Sequence, residues 1–148
     1  MEKASSVFNK GFNCAQSVLL SHGEAFFKDA GYALKLASGF GGGICGRGHT
    51  CGAVTGALMV LGLHFGYSSV ENPSEKERAL RIKKEFLETF ENRFNGLDCK
   101  QLLGADIGTS EGRDYARENN LFEKTCSQLI DGASEILDGL IEKCKKIN

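Results

Sequence analysis

Val7, Phe8, Gly11, Cys14, Ala15, Val18 and Leu19 recur at steps of three and four along the start of the chain. That is the period of a helix with one buried face, so the spacing predicts an amphipathic helix over residues 4–21 with Cys14 on its inward side. Phe26, Phe27, Ala30, Ala33, Leu34 and Ala37 predict a second helix over residues 24–37. The pattern then breaks: six of the ten residues from Gly39 to Gly48 are glycine, a density no regular element tolerates without loss of stability. Thr50 reads as the N-cap of a buried helix running from Cys51, with Gly66 as its stop. Gly52, Gly56 and Gly62 inside it each cost about 1 kcal/mol relative to Ala, which points to close backbone packing as the compensation.

Asn72-Pro73-Ser74 with Glu77 combines a proline near a first turn with a Ser-x-x-Glu capping box, opening a helix to about residue 95. Its stripe is Ala79, Ile82, Phe86, Leu87, Phe90 and Phe94. Asn95-Gly96 breaks it, and Asp98 is placed to cap a short helix over 99–103. Residues 104–119 read as a loop with a turn or two of helix after Ser110. A last helix starts near Asn120, which with Glu123 forms a variant capping box, and carries the clearest stripe in the chain, from Phe122 and Cys126 to Leu140 and Cys144. No strand-like alternation, repeat or linker interrupts this. The expectation is an all-α, single-domain bundle of about five helices over residues 1–148, with a glycine-rich loop before a buried central helix.

The charge balance of 18 Lys+Arg against 19 Asp+Glu leaves a net charge of −1, so nucleic acid and anionic membrane surfaces are not expected partners. The longest apolar run, Ala53 to Phe65, is too short to span a bilayer. Residues 1–6 show no apolar signal-peptide core, which gives a cytoplasmic expectation. In a reducing compartment, the six cysteines signal metal binding or redox chemistry rather than permanent disulfides.

The thiols stand at positions 14, 45, 51, 99, 126 and 144, with no C-x-x-C among them. Thioredoxin-type dithiols, covalent haem attachment and the familiar zinc-finger and ferredoxin spacings are therefore excluded, and any site must be assembled by folding. Cys126 and Cys144 lie about 27 Å apart on one straight helix and cannot share a centre. Cys51 and Cys99 each follow a capping residue, so a helix N-terminus would stabilise the thiolate of either one. Cys144 reads as a core residue. Gly41, Gly43 and Gly46 fit G-x-G-x-x-G, and residues 43–50 approach a P-loop with His49 in place of Lys, but no strand precedes them and nucleotide binding is not expected. The remaining role for Gly41, Gly42, Gly43 and Gly52 is to let backbone N–H groups approach Cys51 and a cofactor held there. His49 is a candidate ligand or proton donor beside Cys51, whereas His22 and His64 read as helix-end residues complementing a dipole.

Phe12-Asn-Cys14-Ala-Gln-Ser-Val-Leu19, Phe40-Gly-Gly-Gly43 leading to Cys51-Gly-Ala-Val-Thr-Gly56, Cys99-Lys-Gln-Leu-Leu-Gly104, Thr109-Ser-Glu-Gly112 and Cys126 with Ala133-Ser-Glu-Ile-Leu137 together make the chain resemble the C_GCAxxG_C_C family, labelled as redox-active from its cysteines. The resemblance implies shared cysteines at Cys14, Cys51, Cys99 and Cys126, with Cys45 and Cys144 as additions. In this segment the order is Thr50-Cys51-Gly52-Ala53, where the family name writes Gly before Cys. The resemblance names no substrate.

Two functions are expected from these readings. In the first, Cys14, Cys51, Cys99 and Cys126 meet as a redox or metal site, ligating an iron–sulfur cluster or zinc, or cycling as dithiol and disulfide with Cys51 or Cys99 as the attacking thiolate and an unidentified redox partner. In the second, the chain is a helical interaction module, a homodimer for example, whose glycine-spaced central helix packs on another helix and whose cysteines are structural.

Overall fold

The computed structural model describes residues 2–147; the first and last positions of the expected domain lie outside this range. Eight α-helices and no strand are found among the described residues, so the all-α class holds with more helices than the expected five. They are α1 (Ala4–Asn9), α2 (Cys14–Gly23), α3 (Ala30–Ala37), α4 (Gly52–Phe65), α5 (Pro73–Phe94), α6 (Cys99–Leu103), α7 (Ser110–Glu118) and α8 (Ser127–Lys146). A π-helical turn, Phe122–Cys126, leads directly into α8.

One extra helix comes from a break that the apolar spacing runs across; the others are the short helix expected over 99–103 and the stretch after Ser110. The expected helix over 4–21 is two: Gly11, at φ +104°, turns the chain, and Asn13 caps α2. The Asn13 side chain accepts from the Gln16 N–H at 2.9 Å, while the Gln16 side chain accepts from the Asn13 N–H at 2.9 Å, a reciprocal capping box. The expected helix over 24–37 begins as a 3₁₀ turn at Glu24–Phe26, and α3 starts afresh behind the Asp29 cap. The stretch after Ser110 is a full nine-residue helix whose Thr109 hydroxyl accepts from the Gly112 N–H at 3.0 Å. Asn120 adopts φ +55° and makes no capping box with Glu123. Cys51, rather than Thr50, is the N-cap of α4, and Asn72 caps α5 with Pro73 in its first turn.

The core lies around α4, which packs on α2, α5 and α8. Ala53, Val54, Ala57, Val60 and Leu61 are all fully enclosed, which is why this helix is apolar on nearly every side. The closest approach is to α2: a Cβ at Gly52 would lie 2.9 Å from the Cys14 Cβ, and one at Gly56 would lie 2.8 Å from the Ala15 carbonyl oxygen. Gly52 and Gly56 thus pack closely within the chain, on the helix that carries Cys14, whereas a Cβ at Gly62 would meet only the Lys83 side chain at 4.0 Å, so no close packing compensates there. Phe86 and Phe90 of α5 are fully buried, and α5 packs along α8 with Phe94 seated over Gly132.

Residues 41–50 form an ordered, hydrogen-bonded loop. Gly42, Gly43, Ile44, Cys45 and Gly46 all have φ between +52° and +74°, a run that only glycine enters freely. The N–H groups of Cys45, Gly46, Gly48 and His49 donate to the carbonyls of Gly39, Gly41, Gly42 and Gly43. At its end an isolated antiparallel bridge pairs Thr50 with Asp98, with Cys51 donating to Leu97 at 2.8 Å and Cys99 donating to the His49 carbonyl at 2.6 Å. This bridge brings the start of α6 beside the start of α4.

Candidate functional site: a cavity walled by four thiols

Cys14 is the first residue of α2, Cys51 caps α4, Cys99 is the first residue of α6, and Cys126 closes the π turn before α8. Packing α2 and α8 against α4, and tying α6 to α4 by the Thr50–Asp98 bridge, brings these four chain segments together. All four cysteines line one cavity of about 200 Å³, whose other walls include Phe8, Leu103, Ile107, Phe122 and Leu129. Each is a free thiol buried to nine-tenths or more. Cys51 and Cys99 stand on one side of the bridge as diagonal neighbours, with Cα atoms roughly 7–8 Å apart by sheet geometry. That lies beyond the reach of a direct disulfide without backbone movement.

The thiols differ in acidity for identifiable reasons. Hydrogen bonding from Cys14 holds Cys126 below the ordinary thiol value against the opposing effect of its burial. The same interaction, with burial and repulsion from the other three thiols, raises Cys14 well above that value. Burial pushes Cys51 up to about 11, although the N–H groups of Ala53 and Val54 support its thiolate. Cys99 is pushed up to about 12, chiefly by burial and then by Cys51, Cys126 and Asp98. The helix N-termini expected to favour thiolates at Cys51 and Cys99 are present, but desolvation outweighs them. The lowered thiol is Cys126.

Of the glycines expected to face a cofactor, Gly42 and Gly52 line the cavity. Gly41 and Gly43 are required for close packing instead: a Cβ at Gly41 would collide with Asn13, and one at Gly43 would come within 2.5 Å of the His49 nitrogen. His49 contributes its backbone carbonyl to Cys99, not a wall of the cavity. Cys45 is exposed, its Sγ donating to the Gly39 carbonyl at 3.4 Å, and Cys144 is buried far along α8 beside Arg78 and Ile82. Asn13 was passed over in the sequence, yet it caps α2, lines the cavity and donates to the Ser38 carbonyl at 3.0 Å. Its signal was the Asn13-x-x-Gln16 spacing.

Among the described residues no three His, Cys, Asp or Glu side chains are grouped closely enough to hold a metal ion. Among the described residues no helix is long and apolar enough to cross a membrane.

Fold and site together define a class: an all-α domain that gathers four dispersed cysteines around one apolar cavity. The chain belongs to the family described as "Putative redox-active protein (C_GCAxxG_C_C)", whose model matches residues 12–140 and so includes all four. No curated protein and no solved structure matches the chain.

Proposed function

We propose that the protein is a dithiol redox protein in which Cys126 attacks and Cys14 resolves. The observation that carries this reading is that Cys14 and Cys126 line one apolar cavity; hydrogen bonding between them lowers Cys126 and raises Cys14, which favours Cys126 as the nucleophile. The Cys126 thiolate attacks one sulfur of a disulfide that enters the cavity, forming a mixed disulfide and expelling one thiolate, which takes up a proton. Cys14 then loses its proton and attacks the Cys126 sulfur, closing the Cys14–Cys126 disulfide and expelling the second half of the substrate as a thiol. Two electrons pass to the substrate and two thiols of the protein are oxidised. Cys51 and Cys99 stay protonated at neutral pH, so they do not compete for the attack. The largely apolar walls favour a small neutral disulfide over a charged one.

The test begins with anaerobically purified, reduced protein exposed to a small neutral disulfide, followed by thiol counting and peptide mapping. The expected result is loss of two thiols per chain in a Cys14–Cys126 crosslink, abolished by Cys126→Ser and unaffected by Cys144→Ser. A crosslink elsewhere, or no thiol loss, overturns the assignment. Four cysteines are also the donor set of an iron–sulfur cluster, a reading that runs against the absence of any three grouped ligands among the described residues and that the same preparation tests. Iron with acid-labile sulfide in the anaerobic preparation, lost on Cys51→Ser, would replace the dithiol reading.

A further inference from the structure

A second cavity, of about 260 Å³, opens between the start of the chain, the end of α2 and the first half of α8, lined by His22, Asp131, Ser134 and Asp138 among others. Three buried side-chain atoms lack a hydrogen-bond partner among the described residues, and all three belong to residues of this cavity: His22 Nδ1, Asp131 Oδ1 and Ser134 Oγ. Buried polar groups are almost always paired, so three orphans in one place call for something to satisfy them. The His22 side chain is only 5% exposed, and its Nε2 lies 3.3 Å from Asp138 Oδ1. A carboxylate on Nε2 fixes the proton there and leaves Nδ1 with a lone pair, the outer-shell arrangement that supports a metal-bound histidine. Asp131 offers its Oδ1 because its Oδ2 is held by Lys3 at 3.0 Å. Glu2 and Glu135 complete the acidic rim, paired outward with Lys10 and Arg93. The orphans are thus lone-pair donors in a lining of four carboxylates and one ammonium, that of Lys3, which suits a cation better than an anion.

We infer that this cavity is a binding site for a divalent first-row transition cation, held by His22 Nδ1, Asp131 Oδ1 and Ser134 Oγ. Imidazole with carboxylate is the donor pair of such cations. Only two of the three donors are His or Asp, consistent with the absence of three grouped His, Cys, Asp or Glu ligands, so water fills the remaining positions. His22 and Cys14 are eight residues apart on α2, about 12 Å along its axis, so this site is distinct from the thiol cavity.

The test is a Co²⁺ titration of reduced, chelator-stripped full-length protein, followed by the visible spectrum and by paramagnetic shifts of backbone amides. Saturable binding is expected without the intense sulfur-to-cobalt absorption of thiolate ligation, with the largest shifts at His22, Asp131 and Ser134. His22→Gln and Asp131→Asn should each weaken it at least tenfold with unchanged circular dichroism, Asp138→Asn about tenfold through His22 alone, and Cys126→Ser not at all. No saturable shift at these residues, which would mean an ordered water only, overturns the proposal. So does an absorption band from sulfur alone, or a His22→Gln protein that titrates like the parent.

Discussion

Replacing Gly56 and Gly139 with alanine, one at a time, tests whether the α2–α4 contact governs both stability and the thiol site. Each glycine lies within a helix, where alanine gains about 0.8–1 kcal/mol from propensity. At Gly139 a Cβ meets nothing within 4 Å, so that gain should appear almost in full. At Gly56 the new methyl would lie 2.8 Å from the Ala15 carbonyl oxygen and 3.1 Å from both the Ala15 Cα and the Val18 Cβ. Two of these atoms are backbone of α2 and cannot rotate away, so the helices must part by roughly half an ångström, an overpacking of about 1–3 kcal/mol. Gly56→Ala should therefore lose about 0–2 kcal/mol where Gly139→Ala gains about 1. Urea unfolding of the reduced variants, followed by far-ultraviolet circular dichroism, reads the difference. Moving Ala15 also moves Cys14 away from Cys126, so in Gly56→Ala the Cys126 thiol should rise toward its ordinary value, measured as the pH dependence of its alkylation. A Gly56→Ala protein as stable as Gly139→Ala, with Cys126 unchanged, would refute the reasoning.

Alkaline pH should unfold the protein through its raised thiols. Cys51 titrates near 9.0 when unfolded and at about 11 when folded, so its stabilising contribution is complete below pH 9 and is lost as the pH rises through 11. That contribution is about 3 kcal/mol at 1.36 kcal/mol per pH unit, and Cys51→Ala should flatten the loss seen in urea melts between pH 8.5 and pH 11. Asn13→Ala removes both the cap on the Gln16 N–H and the bond to the Ser38 carbonyl, at a cost of about 1–2 kcal/mol. Faster alkylation of Cys14 than in the parent, read by mass spectrometry, should accompany it.

The long helices were legible because their burial is one-sided. Ile82, Phe86 and Phe90 on α5, and Leu129, Ile130, Ala133 and Leu137 on α8, recur at helical steps and face one core. The same periodicity concealed the break at Gly11, because α1 and α2 both turn apolar faces toward α8, and Val7 and Cys14 remain in step across the turn. Local caps such as Asn13 with Gln16 carried the missing information. Which cysteines would meet was legible through the family resemblance; that Cys126 would be the acidic one was not. Its acidity depends on Cys14, which only folding brings into contact with it.

The electrostatics of the cavity limit what its four thiols can do at once. Cys14 is raised by Cys51, Cys99 and Cys126, Cys99 by Cys51 and Cys126, and Cys51 by Cys126, so each ionised sulfur opposes the next. Burial disfavours every charged form, so one thiolate in the cavity opposes a second, and hydrogen bonding from Cys14 favours Cys126 for the first. Closing the Cys14–Cys126 disulfide removes that charge and part of the pressure on Cys51 and Cys99. Burial, the largest cause of their rise, remains, so both stay protonated and slow to attack. On the proposed dithiol reading the four sulfurs act as a two-electron store with a neutral surround, and thiol counting during oxidation should show two rapid equivalents, not four.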